Sequence, residues 1–99
     1  MASFLLAAAA YSDLEDVERY TLVTWGEQQR VRYITGLFAQ FEQLADNPRL
    51  GRPRPELGDG VISMPYERHV IFYELFGGRC HILRVLHQAR DALAQFSKE

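Results

Sequence analysis

The stretch Asn47-Pro48-Arg49-Leu50-Gly51-Arg52-Pro53-Arg54 divides the chain into two parts that must fold by different rules. Pro48 removes a backbone donor and drives Asn47 away from helical geometry, so a helix arriving from the N-terminal side stops there. Pro53 and Pro55 then stiffen the segment that follows. Upstream, apolar residues recur at helical spacing. Downstream, short apolar runs alternate with glycine turns. The pattern predicts a small α+β domain with a basic link between a helical half and a strand half, a layout suited to receiving a partner.

In the helical half, Ser3 to Leu6 reads as a short strand and the alanines from about Ala7 favour helix. Leu14, Val17 and Tyr20 recur at spacing three, continuing to Leu22, Val23 and Trp25, with Asp13, Glu15, Asp16 and Glu18 as the expected wet face. Gly26 is placed to cap this helix before the next one. The second helix is expected over about Glu27 to Ala45. Val31, Ile34, Phe38, Phe41 and Ala45 form its apolar face, widened by Leu37 and Leu44. A break as short as Trp25-Gly26 makes the two a helical hairpin.

In the strand half, the Gly58-Asp59-Gly60 turn is followed by three strand-like runs, Val61 to Met64, His69 to Leu75 and Cys80 to Leu86. Gly77-Gly78 is a two-residue hairpin turn, which puts Phe76 opposite Arg79. That register predicts one face of His69, Ile71, Tyr73, Ile82, Arg84 and Leu86. The other face then holds Arg68, Val70, Phe72, Leu83, Val85 and His87, and a one-residue slip reverses the assignment. Both faces are apolar, yet one helical hairpin can cover only one of them. The tail Gln88 to Glu99, with Ala92, Leu93 and Phe96, is expected to form a third helix and cover part of the remainder. Apolar surface left over is a partner site, since monomers seldom keep large exposed patches.

The 99 residues suffice for one domain with one core. A lone Cys80 has no partner for an internal disulfide, which fits a cytoplasmic setting, and it reads as a small strand residue rather than a nucleophile. The N-terminal apolar run lacks a basic flank and is too short to span a bilayer, so the expectation is a soluble chain without a processed leader. A net charge of −2 argues against general nucleic-acid binding. The charge is unevenly placed: residues 1–47 hold three arginines against seven acids, and residues 48–99 hold eight basic residues against six acids. Ten of the eleven basic residues are arginine, the side chain suited to bidentate contact with carboxylate or phosphate.

One cysteine and the scattered His69, His81 and His87 match no metal-ligand spacing, and no phosphate loop or nucleophile elbow is present, so neither a metal nor a cofactor is expected. The chemistry-bearing set is Arg52, Arg54, Arg68, Arg84 and His87. Three roles stay open for it: a structural one (a solvated link, an ion pair at Arg84 and an ordinary strand-end His87), protein docking, and RNA cleavage with arginines on the phosphate and histidine moving a proton.

Several motifs, in order and over Asp13 to Asp91, resemble the ParE family of type II toxin–antitoxin toxins within the RelE/ParE superfamily. They are Asp13-Leu14-Glu15-Asp16-Val17-Glu18-Arg19-Tyr20, Trp25-Gly26-Glu27-Gln28-Gln29, Leu44 to Pro53, His69-Val70-Ile71-Phe72-Tyr73 and Arg84-Val85-Leu86-His87-Gln88. The resemblance implies an N-terminal strand, a helical hairpin and a small, mainly antiparallel sheet with a short C-terminal helix or tail. It further implies a cytoplasmic toxin that inhibits DNA gyrase without enzymatic chemistry of its own and is neutralised by a ParD-type antitoxin. RelE relatives instead cleave ribosome-bound mRNA at a basic, often lysine-rich site. This chain has no lysine before Lys98, so Arg84 and His87 alone support that alternative. A third possibility is a module that binds an antitoxin and has lost toxicity. Under the gyrase reading, the proline-stiffened Arg52 and Arg54, together with Arg84 and the tail from Arg90, are the expected contact residues.

Overall fold

The computed structural model describes residues 3–96. The chain forms β1 (Phe4–Leu6), α1 (Ala8–Trp25), α2 (Glu27–Asp46), β2 (Arg52–Pro53), β3 (Ile62–Tyr66), β4 (His69–Phe76), β5 (Arg79–His87) and α3 (Ala92–Phe96). Short 3-10 turns over Pro48–Leu50 and Pro55–Leu57 flank β2. The five strands make one sheet in the order β1-β5-β4-β3-β2, with β1 parallel to β5 and every other pair antiparallel. The expected α+β architecture is therefore the one formed.

Gly26 separates the two long helices. It sits at φ 95°, a conformation that favours glycine, and its N–H donates to Leu22 O at 2.9 Å. The start of α1 has no side-chain cap; the Ala7 N–H donates instead to Ile82 O at 2.9 Å, tying the helix entry to β5. On α2 the buried stripe is Tyr33, Leu37, Phe41 and Leu44, with Ile34, Phe38 and Ala45 on its flank. Val31 is half exposed, contrary to the expected face. Both stripes have three-and-four spacing; the deeper one includes Tyr33 because its hydroxyl reaches partners on the sheet.

Two corrections apply to α1. Leu22, Val23 and Trp25 are exposed, Val23 at 80%, so the apolar stripe ends at Val17 and Thr21. Thr21 is tolerated inside because its hydroxyl donates to the Val17 carbonyl at 3.0 Å. Asp13, expected on the wet face, is buried at 3% exposure.

The β4–β5 hairpin has the expected Phe76↔Arg79 register at the Gly77-Gly78 turn. A bulge then intervenes: Tyr73 pairs with Ile82 but Phe72 pairs with Arg84, leaving Leu83 as the extra residue. Beyond it β5 is reversed relative to the predicted faces. Val85 joins Ile71, Tyr73, Cys80 and Ile82 in the core against the helical hairpin, and His87 now pairs with His69. Leu86 joins Val61 and Phe72 on the opposite face, where Leu57, Ala92 and Phe96 cover part of it. The α3 segment supplies that cover with Phe96 against the Phe72 ring at 5.3 Å; the rest of the predicted tail helix, residues 97–99, lies outside the described residues.

The basic link is also part of the sheet. Arg52 pairs with Ser63 and Pro53 with Ile62, making a two-residue edge strand. Tyr73 anchors it: the Gly51 N–H donates to the Tyr73 hydroxyl at 3.0 Å, and that hydroxyl donates to Pro48 O at 2.8 Å. A Cβ at position 51 would lie 2.5 to 2.7 Å from the Tyr73 hydroxyl, the Ser63 carbonyl and the Ile62 side chain, so this close approach requires glycine. No helix among the described residues is long and apolar enough to cross a membrane.

Candidate functional site

The bulge brings His69 and His87 side by side at the end of the sheet, with ring centroids 5.3 Å apart. Tyr20 of α1 packs edge-on against both, at 5.6 and 5.0 Å. Tyr33 of α2 contacts His69 from the other helix, and Trp25 stacks on Tyr33. A cleft of about 310 Å³ opens beside these rings, lined by Asp13, Asp16, Tyr20, His69, His87 and Arg90. Tyr20 and Arg90 extend it toward the exposed Val23 and Arg19 on the outer side of α1.

Burial, and secondarily the neighbouring His87, pushes the His69 pKa down to about 4, so its ring is neutral at physiological pH. The Tyr33 hydroxyl lies 2.7 Å from His69 Nδ1 and accepts from the Arg68 N–H at 3.1 Å. The same hydroxyl donates to the Tyr66 carbonyl at 3.2 Å, and its role toward Nδ1 follows the tautomer of the ring. Desolvation raises the Tyr33 pKa to about 12, which keeps that proton on oxygen. At His87, Nδ1 accepts from the Ala89 N–H at 3.1 Å.

The arginines singled out in the sequence do not form one cluster. Arg84 makes a two-pronged ion pair with Asp13, Nε to Oδ2 at 2.8 Å and Nη2 to Oδ1 at 3.0 Å. Hydrogen bonding to Asp13 holds the Arg84 guanidinium above its usual pKa. Arg68 stands on the β3–β4 turn with its guanidinium 5.6 Å from the Trp25 ring. Arg54 pairs with Glu56 at 2.7 Å, donates to the Ser63 hydroxyl at 3.2 Å and lies over Phe72. Arg52 and Arg90 are exposed and make no ion pair among the described residues. Arg52 and Arg54 share one depression, while Arg54, His87 and Arg90 share the next.

Asp13, Tyr20 and Tyr33 were not among the predicted site residues. Asp13 is indistinguishable in sequence from Asp16, which is exposed and pairs with Arg19. The signal available for Asp13 was its position one residue before Leu14, on the edge of the apolar stripe.

A family profile described as ParE toxin of type II toxin-antitoxin system, parDE, matches residues 4–92. The chain belongs to the ParE toxin family. It is a toxin of type II toxin–antitoxin systems by that membership. The Toxin ParE1 of Caulobacter vibrioides is 36% identical over 94 residues, covering 95% of this chain and 97% of that protein. In fold, the ParE-family chain resembles a structure titled "Chromosomal ParDE TA system from P. aeruginosa", with a TM-score of 0.74, 21% identity and coverage of 88% of this chain and 96% of that one. It also resembles a chain of the toxin-antitoxin complex RelBE2 from Mycobacterium tuberculosis, with a TM-score of 0.61, 24% identity and coverage of 90% and 93%. At these identities the two structures establish the shared fold.

Proposed function

We propose that this ParE-family chain acts in the cytoplasm as an inhibitor of DNA gyrase, has no hydrolytic activity of its own, and is neutralised by a ParD-type antitoxin. The observation that carries this choice over RNA cleavage is the engagement of Arg84. Its guanidinium is clamped on Asp13 by two hydrogen bonds. A ribonuclease would need that guanidinium free to stabilise a phosphate. The exposed Val23, Trp25, Arg52 and Arg90 instead offer surface for protein contact. Solved relatives of the same fold come from toxin–antitoxin systems, which supports a dedicated antitoxin partner.

The RelE-type reading keeps one supporting observation, the fold shared with the RelBE2 complex chain. One pair of assays separates the two. The purified chain should block gyrase supercoiling in vitro, and the antitoxin encoded beside it should restore the activity. Ribosome-dependent mRNA cleavage, abolished by His87→Ala with an unchanged melting temperature, would overturn the gyrase proposal.

A further inference from the structure

Gyrase inhibition by surface contact leaves the cleft beside His69 and His87 without a role. It has two chambers that share Asp16, Tyr20 and Arg90, an inner one of about 310 Å³ and an outer one of about 440 Å³ along α1. The half-buried rings of Tyr20 and His87 wall the inner chamber, with Val17 and Val85 beside them. His69 lines it too, buried at 3% exposure, with Nδ1 held 2.7 Å from the Tyr33 hydroxyl. Its Nε2 has no hydrogen-bond partner among the described residues, and neither have His87 Nε2 and the Tyr20 hydroxyl. Gln40 Nε2 is the one sealed side-chain polar atom without a partner among those residues, so these three groups open on the cleft. The outer chamber holds Arg19 and Arg90. Arg90 makes no ion pair among the described residues, and the Arg19 pair with Asp16 lies in solvent, where such a pair is easily exchanged.

We infer that this cleft binds a single nucleotide, with the base in the inner chamber and the phosphate on Arg19 and Arg90. Size sets the first limit. An inner chamber of about 310 Å³ stands at the low end of small-molecule sites, roughly 300–1,000 Å³, and is too narrow for a helix about 10 Å across. Aromatic walls favour a flat ring as the occupant. The uncommitted ring nitrogens disfavour a plain hydrocarbon ring, which would take them out of water unpaired. An imidazole nitrogen donates or accepts according to its tautomer, so His69 and His87 together match a base edge that carries both kinds of group. At the mouth, guanidinium groups bind phosphate oxygens through paired N–H donors. The acids nearby do not oppose this. Asp13 is spent on Arg84 and the Val85 N–H, and Asp16, once Arg19 turns to the phosphate, is an acceptor for sugar hydroxyls. A base inside a duplex is already paired and stacked, so the ligand is a free nucleotide or the unpaired end of a single strand, which present the same chemistry.

The test uses the full wild-type chain, with the ring protons of His69 and His87 as NMR reporters. The common ribonucleoside monophosphates are titrated to several millimolar, beside the matching nucleosides and inorganic phosphate. At least one mononucleotide should bind saturably and shift both histidines, and its nucleoside should bind roughly tenfold to a hundredfold more weakly. Phosphate alone should leave both rings unmoved. Arg19→Gln combined with Arg90→Gln should weaken the nucleotide by the same order and leave the nucleoside unchanged, with the melting temperature held. Arg49→Gln, on the exposed turn after α2, should change neither. A short single strand with a terminal phosphate separates the two sources: binding at least as tight as the mononucleotide identifies a strand end, and weaker binding identifies the free nucleotide. Absence of saturation with every mononucleotide and strand overturns the inference. Equal nucleotide affinity in the wild type and the double arginine variant also overturns it. So does binding that leaves both histidines unmoved, because the arginines would then hold an anion alone.

Discussion

Asp13 of α1 and Arg84 of β5, 71 positions apart, form a two-pronged ion pair at the edge of the sheet. The same Asp13 carboxylate accepts the Val85 N–H at 2.9 Å. β1 pairs with β5 only as far as Ile82, so beyond it the carboxylate takes up an edge donor that no strand reaches. One helix side chain thus supplies the sheet edge with an acceptor and fixes an arginine.

Removing Arg84 strands a buried carboxylate, whereas the Arg84 side chain is itself 21% exposed and retains some water. Arg84→Ala should therefore cost about 2–4 kcal/mol, somewhat below the value for a fully buried pair. In a domain of this size that lowers the melting temperature by roughly 10–20 °C. Asp13→Asn combined with Arg84→Met should recover part of the loss. Thermal denaturation of the single and double variants checks both statements.

Gly51→Ala should be among the more damaging small substitutions. The added methyl meets the Ser63 backbone carbonyl, which cannot swing aside, and displaces the Tyr73 hydroxyl that anchors Pro48. A loss of about 1–3 kcal/mol is expected. Tyr73→Phe removes the two hydrogen bonds without the clash and should cost a similar amount. Urea unfolding with both variants separates them from Gly60→Ala, whose site has open space around it but a positive φ.

Stability should fall on acidification through His69. Its folded pKa near 4 lies below the unfolded value of about 6.5, so the unfolded chain binds the extra proton between these limits. The contribution is complete above about pH 6.5 and is lost as pH falls toward 4, to a total of about 3 kcal/mol. His69→Gln should flatten the stability profile across that window. An equally steep profile in the variant would show that His69 is not the group responsible.

Cys80 is buried at 2% exposure, and desolvation raises its thiol pKa to about 11. Alkylation by iodoacetamide at pH 8 should be slow in the native chain and rapid in denaturant, because the thiolate is the reactive form. Fast native labelling would show that β5 opens readily.

The sequence by itself determined the two long helices, the three longer strands and their order, though not the two-residue strand β2 within the proline-rich link. Pro48 ends α2, Gly26 separates the helices, and Gly77-Gly78 sets the hairpin register, because each acts through local backbone geometry. The apolar composition of both sheet faces was equally legible, and so were the motifs that point to the ParE family. Tertiary structure decided what depends on pairing across the chain. The bulge at Leu83 has no local signature, yet it moves Val85 and His87 to the helix face and Leu86 to the other. Asp13 and Asp16 are the same residue on the same helix, and only the approach of Arg84 and the Val85 N–H makes one of them a buried acceptor. A carboxylate is stable in the interior only where donors meet it, and those donors lie 71 and 72 positions away.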